Sequence, residues 1–187
     1  MVGTPLSLYP QQSPNHVVDA AGLTIVTIAA RGAAVIERAR AIVLTPANTI
    51  LVIKRTRQGA APYWVLPDGH ADGTDNSLED ALRRELREEL GAEAAILHLV
   101  NVIHRETERQ YFYLATMDNW SFVDRTGHEF SEPGRGSYEL EEIPGYAADV
   151  EAIDLKPEEI TEFLTSALRG TGGLAALPDL REMGRAR

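Results

Sequence analysis

The chain has 187 residues, 44% of them apolar and 25% charged, the balance of one globular domain long enough for a full core. With 28 acidic against 18 basic side chains the net charge is −10, which argues against a nucleic-acid polymer as main partner. No cysteine is present, so disulfides, thiolate metal sites and cysteine nucleophiles are excluded.

No apolar run approaches the roughly 20 residues needed to span a bilayer, and the first twenty residues lack a basic segment followed by an apolar one. A cytoplasmic, soluble protein with no membrane association is the expectation. The N-terminal stretch carries Pro5, Pro10 and Pro14 without a clear period, and reads as an arm over residues 1–22. Such an arm makes a homodimer plausible. Leu23 to Ala30 is rich in β-branched residues and predicts a strand, and a second apolar stretch follows at Ala33 to Ile36.

Ala39 to Thr45 and Thr49 to Arg55 predict a hairpin across Pro46-Ala47-Asn48, both arms apolar enough for buried central strands. Lys54, Arg55 and Arg57 close the second arm with positive charge, either as a solvated strand end or as a contact to a substrate phosphate. Tyr63 and Trp64 come just before an acidic loop. Each could stack on a planar group such as a base, or pack in the core.

The stretch from Gly69 to Ala92 carries the chemistry. Asn76 and Ser77 are suitable N-caps, Glu79 and Asp80 follow at capping-box spacing, and Gly91 sits where a glycine would end the helix. Leu78, Leu82, Leu86 and Leu90 form an i, i+4 ridge to be buried. Glu85, Glu88 and Glu89 fan over roughly 100° of the same helix, with Glu89 falling inside the leucine stripe. Carboxylates at this spacing repel one another. A divalent cation with hard oxygen ligands, Mg²⁺ or Mn²⁺, would remove that repulsion; a solvated face balanced by Arg83, Arg84 and Arg87 is the plainer alternative.

This segment resembles the Nudix box, the signature of the Nudix hydrolase family. Arg84, Glu85, Leu86, Glu88, Glu89, Gly91 and Ala92 match its second half without a gap. In the first half, counting forward from Gly69 places Asp75 where the pattern has Glu, with eight residues rather than seven before Arg84. Counting back from Arg84 instead lands on Asn76 and His70. The first alignment makes Leu66-Pro67-Asp68-Gly69 the counterpart of the usual Leu-Pro-Gly-Gly, with one extra loop residue.

Beyond the box, Ala94 to Ile103 predicts a strand with His98 inside it and His104 just after. Arg109 to Met117 alternates and predicts another, with Tyr111 and Tyr113 on one face as core or as a pocket wall. Asp118 to Tyr146 is rich in Gly and Pro and reads as one long loop, its Glu139-Leu140-Glu141-Glu142 run solvated or at a site's rim. Ala148 to Leu155 reads as the last strand, and Pro157 opens a helix to about Leu168. Gly170, Gly172 and Gly173 break that helix, and Leu174 to Met183 reads as a short final helix with a basic end at Arg181, Arg185 and Arg187.

The order of elements predicts an α/β (α+β) layered domain. The resemblance sharpens this to a Nudix-like fold, a mixed β-sheet sandwiched between helices, over residues 23–168, followed by a C-terminal extension over 169–187. It implies a Nudix-type pyrophosphohydrolase that cleaves a nucleoside diphosphate derivative by metal-assisted attack of water. Glu85, Glu88 and Glu89 would be the metal ligands, with Glu85 or Glu88 as general base and Gly69 letting the backbone approach the metal. Glu151 would be the acidic residue outside the box, as a further ligand or as base. Arg84 would orient the loop through Asp75, a structural loop residue, or through a box glutamate. Arg57, Tyr63, Trp64 and Tyr111 are the candidates for holding substrate. The alternative class is a catalytically silent Nudix-fold nucleotide-binding or regulatory module.

Overall fold

The computed structural model describes residues 35–70, 75–121 and 136–183, together with the backbone of 16–18 and 24–26. Most of the expected N-terminal arm, the ends of the strand expected at Leu23 to Ala30, part of the loop leading into the box helix, the middle of the 118–146 loop, and Arg185 and Arg187 lie outside the described residues. The chain divides into two units, Met1–Ala34 and Val35–Arg187. The first contains an antiparallel pair, β1 (His16–Val18) and β2 (Thr24–Val26), with His16 opposite Val26.

The second unit is built on a mixed sheet. Its strands are β3 (Ile36–Leu44), β4 (Thr49–Thr56), β5 (Tyr63–Val65), β6 (Asp68–His70), β7 (Ala95–His104), β8 (Glu108–Thr116), β9 (Ser137–Pro144) and β10 (Leu155–Lys156). The order is β10-β5-β4-β3-β8-β7, with β6 added beside β3 and β9 beside β4. β3 runs parallel to β8 and β10 parallel to β5, while the remaining pairs are antiparallel. The predicted hairpin is present but short-lived. β3 pairs with β4 only at Val43 and Leu44, then leaves to pair with β6, while β4 continues beside β5. The sheet forks at that point.

Side chains alternate across a strand, and the two faces carry separate cores. Ala39, Ala41 and Val43 of β3 face helix α1 (Leu78–Leu90), together with Leu51, Tyr113 and Ala115. Ile42, Ile50, Val52, Phe112 and Leu114 point the other way, toward α2 (Ala147–Glu151) and α3 (Glu158–Arg169). The sheet thus lies between helices, the predicted layering. Leu82, Leu86 and Leu90 of the leucine ridge are wholly buried, each contributing roughly 1.5–3 kcal/mol relative to exposure. Ser77 caps α1 by accepting from the Asp80 backbone N–H at 3.1 Å, and Gly91 ends it in the left-handed region at φ 66°, a conformation that favours glycine.

Two expectations need correction. The 118–146 loop ends in a strand, because β9 pairs with β4 along its whole length, with Glu139 opposite Lys54 and Leu140 opposite Ile53. Tertiary pairing overrides the low strand propensity of an acidic run. The stretch read as a last strand, Ala148 to Leu155, is instead the short helix α2 followed by the two-residue strand β10. Its period-two apolar pattern is spent on one helical turn that buries Val150. After α3, a 3₁₀ turn at Gly173–Ala176 leads to α4 (Leu180–Met183). There Asp179 accepts from the Leu99 backbone N–H at 3.1 Å, and Arg181 donates to the Leu97 carbonyl and pairs with Glu79 of α1 at 2.7 Å. Among the described residues no helix is long and apolar enough to cross a membrane.

Candidate active site

Strand β6 and helix α1 position the site. In β6, Gly69 faces α1 while Asp68 and His70 face the other side, opposite Arg40 and Arg38 of β3. Gly69 packs closely against the helix. A Cβ there would stand 2.6 Å from Cγ of Glu85, so only glycine lets the Glu85 side chain lie over this backbone.

Arg84 ties the helix to the loop before it. Its guanidinium donates to both carboxylate oxygens of Asp75, at 3.3 and 3.0 Å, and to the His70 carbonyl at 3.1 Å. The same group reaches Glu85 at 3.1 Å and Glu88 at 3.4 Å. The Asp75 hydrogen bond leads the causes that push the Arg84 guanidinium further up its already basic range. Asp75, nearly buried at 6% side-chain exposure, is the anchor that a planar, bidentate donor requires. Glu88 is the more open of the two glutamates that Arg84 bridges, at 37% side-chain exposure against 19% for Glu85. Glu89 is buried, as its place in the leucine stripe predicts.

The other expected residues are distributed more widely. Glu151 ends α2 on the opposite face of the sheet from α1 and pairs with Arg169 at 2.6 Å, so it is not brought to the box glutamates. Trp64 packs against the α3-side core and donates to Glu141 at 2.8 Å, with Lys54 5.5 Å from its ring centroid. Tyr111 donates to Glu37 at 2.8 Å, and burial followed by this bond pushes its phenol up, keeping it a neutral donor. Tyr63 is half-buried, with the exposed Arg57 guanidinium 5.9 Å from its ring centroid. Arg38, Arg40 and Gln110 were not anticipated, although they line a cavity at the sheet's fork. The signal was present in Arg38-Ala39-Arg40-Ala41, which alternates charge with small residues inside a central strand.

Among the described residues, no three carboxylate or imidazole side chains already converge into a cation site. The donor set nevertheless suits a hard cation. Glu85, Glu88 and Glu89 offer oxygen ligands on one helix, and Gly69, having no side chain, lets Glu85 lie against its backbone.

Residues 35–163 match the family model described as NUDIX domain. Among solved structures, a Nudix hydrolase from Nitrosomonas europaea is similar at a TM-score of 0.54 and 14% identity, covering 68% of this chain and 84% of that one. The NUDIX domain of Shewanella oneidensis NrtR, complexed with ADP ribose, gives 0.50 at 19% identity, covering 69% and 85%. An ADP-ribose pyrophosphatase from Streptococcus suis gives 0.50 at 17%, covering 72% and 92%. At such identities the likeness concerns the fold. No curated protein matches the chain significantly. With the family model spanning most of the second unit and the Arg84–Gly91 helix seated against Gly69, the chain belongs to the Nudix family.

Proposed function

We propose that the chain hydrolyses the pyrophosphate linkage of a nucleoside diphosphate derivative at the carboxylate face of α1. The observation that carries this is the placement of Glu85 against Gly69, with Glu88 and Glu89 on the same helix and Arg84 bridging Glu85 and Glu88 to the anchored Asp75. A pyrophosphate is anionic and repels nucleophiles. Nudix hydrolases use divalent metal ions; Mg²⁺ or Mn²⁺ held by Glu85, Glu88, Glu89 and the Gly69 backbone would neutralise the diphosphate and acidify water.

The chain's own groups supply the rest. Glu85 or Glu88 accepts the proton of the attacking water, and Glu88 is the better exposed of the two. The water oxygen bonds to phosphorus, the bridging P–O bond breaks, and a nucleoside monophosphate and a phosphorylated remainder leave. Arg84 keeps Glu85 and Glu88 in fixed orientation, so it is a positioning residue. Tyr63 and Arg57 form a half-exposed planar and cationic edge suited to the nucleoside part. Tyr111, packed on the α1 side and held by its hydrogen bond to Glu37, serves as a wall, while Trp64 belongs to the α3-side core and is held by Glu141.

The test is phosphate release, through a coupled phosphatase, from a panel of nucleoside diphosphate derivatives with Mg²⁺ or Mn²⁺. We expect metal-dependent turnover of one class, reduced about 10²–10⁴-fold in Glu88→Gln, the range of a lost acid–base group, and strongly reduced in Glu89→Gln. Absence of turnover across the panel, with a nucleotide still raising the melting temperature, would overturn catalysis in favour of a nucleotide-binding module.

A further inference from the structure

Behind Gly69, on the face of β6 turned away from α1, five side chains close a ring. Arg38 pairs with Asp68 at 3.1 Å and with Glu108, and Glu108 accepts from the Gln110 amide at 2.8 Å. Gln110 accepts in turn from Arg40 Nε at 2.9 Å, and the Arg40 guanidinium returns to Asp68 at 3.8 Å. The ring joins β6, β3 and β8 at the wall of the cavity at the fork. Its two carboxylates balance its two guanidiniums. The four charged side chains are only 12% to 28% exposed and Gln110 is buried, so solvent screens these pairs less than a surface pair.

Strand β6 needs such an anchor. It is three residues long, at the short end for a strand, and among the described strands it pairs with β3 alone. The main chain ties it through the register of Arg38–Arg40 with Asp68–His70 and through the Ala41 N–H on the Pro67 carbonyl at 2.9 Å. Its other face has little tolerance for movement. Glu85 lies over Gly69, where a Cβ would stand 2.6 Å from its Cγ, and the His70 carbonyl accepts from Arg84 at 3.1 Å. A slip of β6 along β3 displaces both contacts together. Asp68 stands where the Leu-Pro-Gly-Gly pattern has glycine, and its carboxylate is the member that β6 contributes to the ring.

We propose that the ring holds the carboxylate helix in working register through β6, with Asp68 and Gln110 as positioning residues. They act through Gly69 on Glu85 and through the His70 carbonyl on Arg84, not on the substrate. The proposal rests on the pyrophosphohydrolase reading and adds to it what keeps the site rigid. A misplacement of about 1 Å can cost a reaction about 100-fold, so an opened ring lowers kcat far more than it changes KM. A ring that only stabilised the fold would lower the melting temperature and leave kcat of the folded protein unchanged. One that held substrate would raise KM.

The test compares the unmodified chain with Asp68→Ala, Asp68→Asn and Gln110→Leu, and with Arg105→Ala, which alters the rim of the same cavity outside the ring. Kinetics are measured at saturating Mg²⁺, below each variant's melting transition, on the panel substrate that the unmodified chain turns over fastest. We expect kcat to fall about tenfold or more in Asp68→Ala and Gln110→Leu with KM little changed. Asp68→Asn keeps an acceptor oxygen and should recover part of the loss, and Arg105→Ala should alter neither constant. Unchanged kcat in Asp68→Ala and Gln110→Leu, or a loss carried by KM, overturns the proposal and leaves the pyrophosphohydrolase reading standing. Amide hydrogen exchange gives a second readout that needs no turnover. In Asp68→Ala the Asp68–His70 amides should exchange severalfold faster while those of β7 keep their rates. Equal exchange in β6, or an acceleration spread evenly over the sheet, overturns the proposal even if no substrate of the panel is hydrolysed.

Discussion

The two faces of the sheet are built on opposite plans. Under α1, β3 contributes the small residues Ala39 and Ala41 and β8 contributes Ala115, beside Leu51 and Tyr113, and the helix adds its bulk through Leu82, Leu86 and Leu90. Under α3 the strands supply the bulk themselves, with Ile42, Ile50, Phe112 and Leu114. Small residues let a helix come close enough to fix its register against one strand, which brings Glu85 over Gly69. Large residues fill the centre of the other face, and the charged start of β3 borders an open cavity there. One face therefore couples packing to chemistry, while the other separates them.

Paired truncations break or sharpen that contrast. Leu86→Ala and Leu164→Ala each remove a wholly buried side chain and should cost about 2–5 kcal/mol in urea unfolding. Only Leu86→Ala should also lower turnover of the folded fraction, because it loosens the helix that carries the glutamates. Equal kinetic losses from both would remove the distinction between the faces.

Gly69→Ala forces the Glu85 stem aside. It should destabilise by about 1–3 kcal/mol, as overpacking does, and depress kcat well beyond what unfolding explains. Full activity in this variant would show that the approach of β6 to α1 has no chemical role. Ser77→Ala removes the cap of α1 and should cost about 1 kcal/mol, visible in the melting temperature and not in kcat.

The smallest effect is a pH effect. Arg181 leads the causes that hold the Asp179 carboxyl well below the usual carboxylate range. A carboxyl depressed in the folded state contributes stability that is complete above its unfolded value, about 4, and is lost as pH falls below it. Between about pH 6 and about pH 3, Asp179→Asn should show a shallower loss of melting temperature than the unmodified chain. Parallel curves would mean that the pair contributes nothing net.

The parts legible in the sequence are those whose local pattern and tertiary fate agree. The leucine ridge, Ser77 and Gly91 fixed α1, and the apolar runs fixed β3, β4 and β8. β9 escaped because Glu139, Glu141 and Glu142 disfavour a strand until Lys54 and Trp64 bind Glu141 and Thr49 donates to Glu142. α2 escaped because Ala-Asp-Val-Glu satisfies either period over so short a length. In the site, Glu85, Glu88, Arg84 and Asp75 are linked by local spacing and stood out at once. The cavity did not, because Arg40 and Gln110 are seventy positions apart and meet only through the parallel pairing of β3 and β8.

The segment after α3 has one more effect. β7 is the outermost strand on its side of the sheet, and such a strand exposes backbone groups that another chain can pair with. Asp179 takes the Leu99 N–H and Arg181 takes the Leu97 carbonyl. Side chains rather than a strand fill those positions, and the anchor at Glu79 holds them there. Strand-to-strand association at this margin would first have to displace the same arginine that fastens the tail to the start of α1.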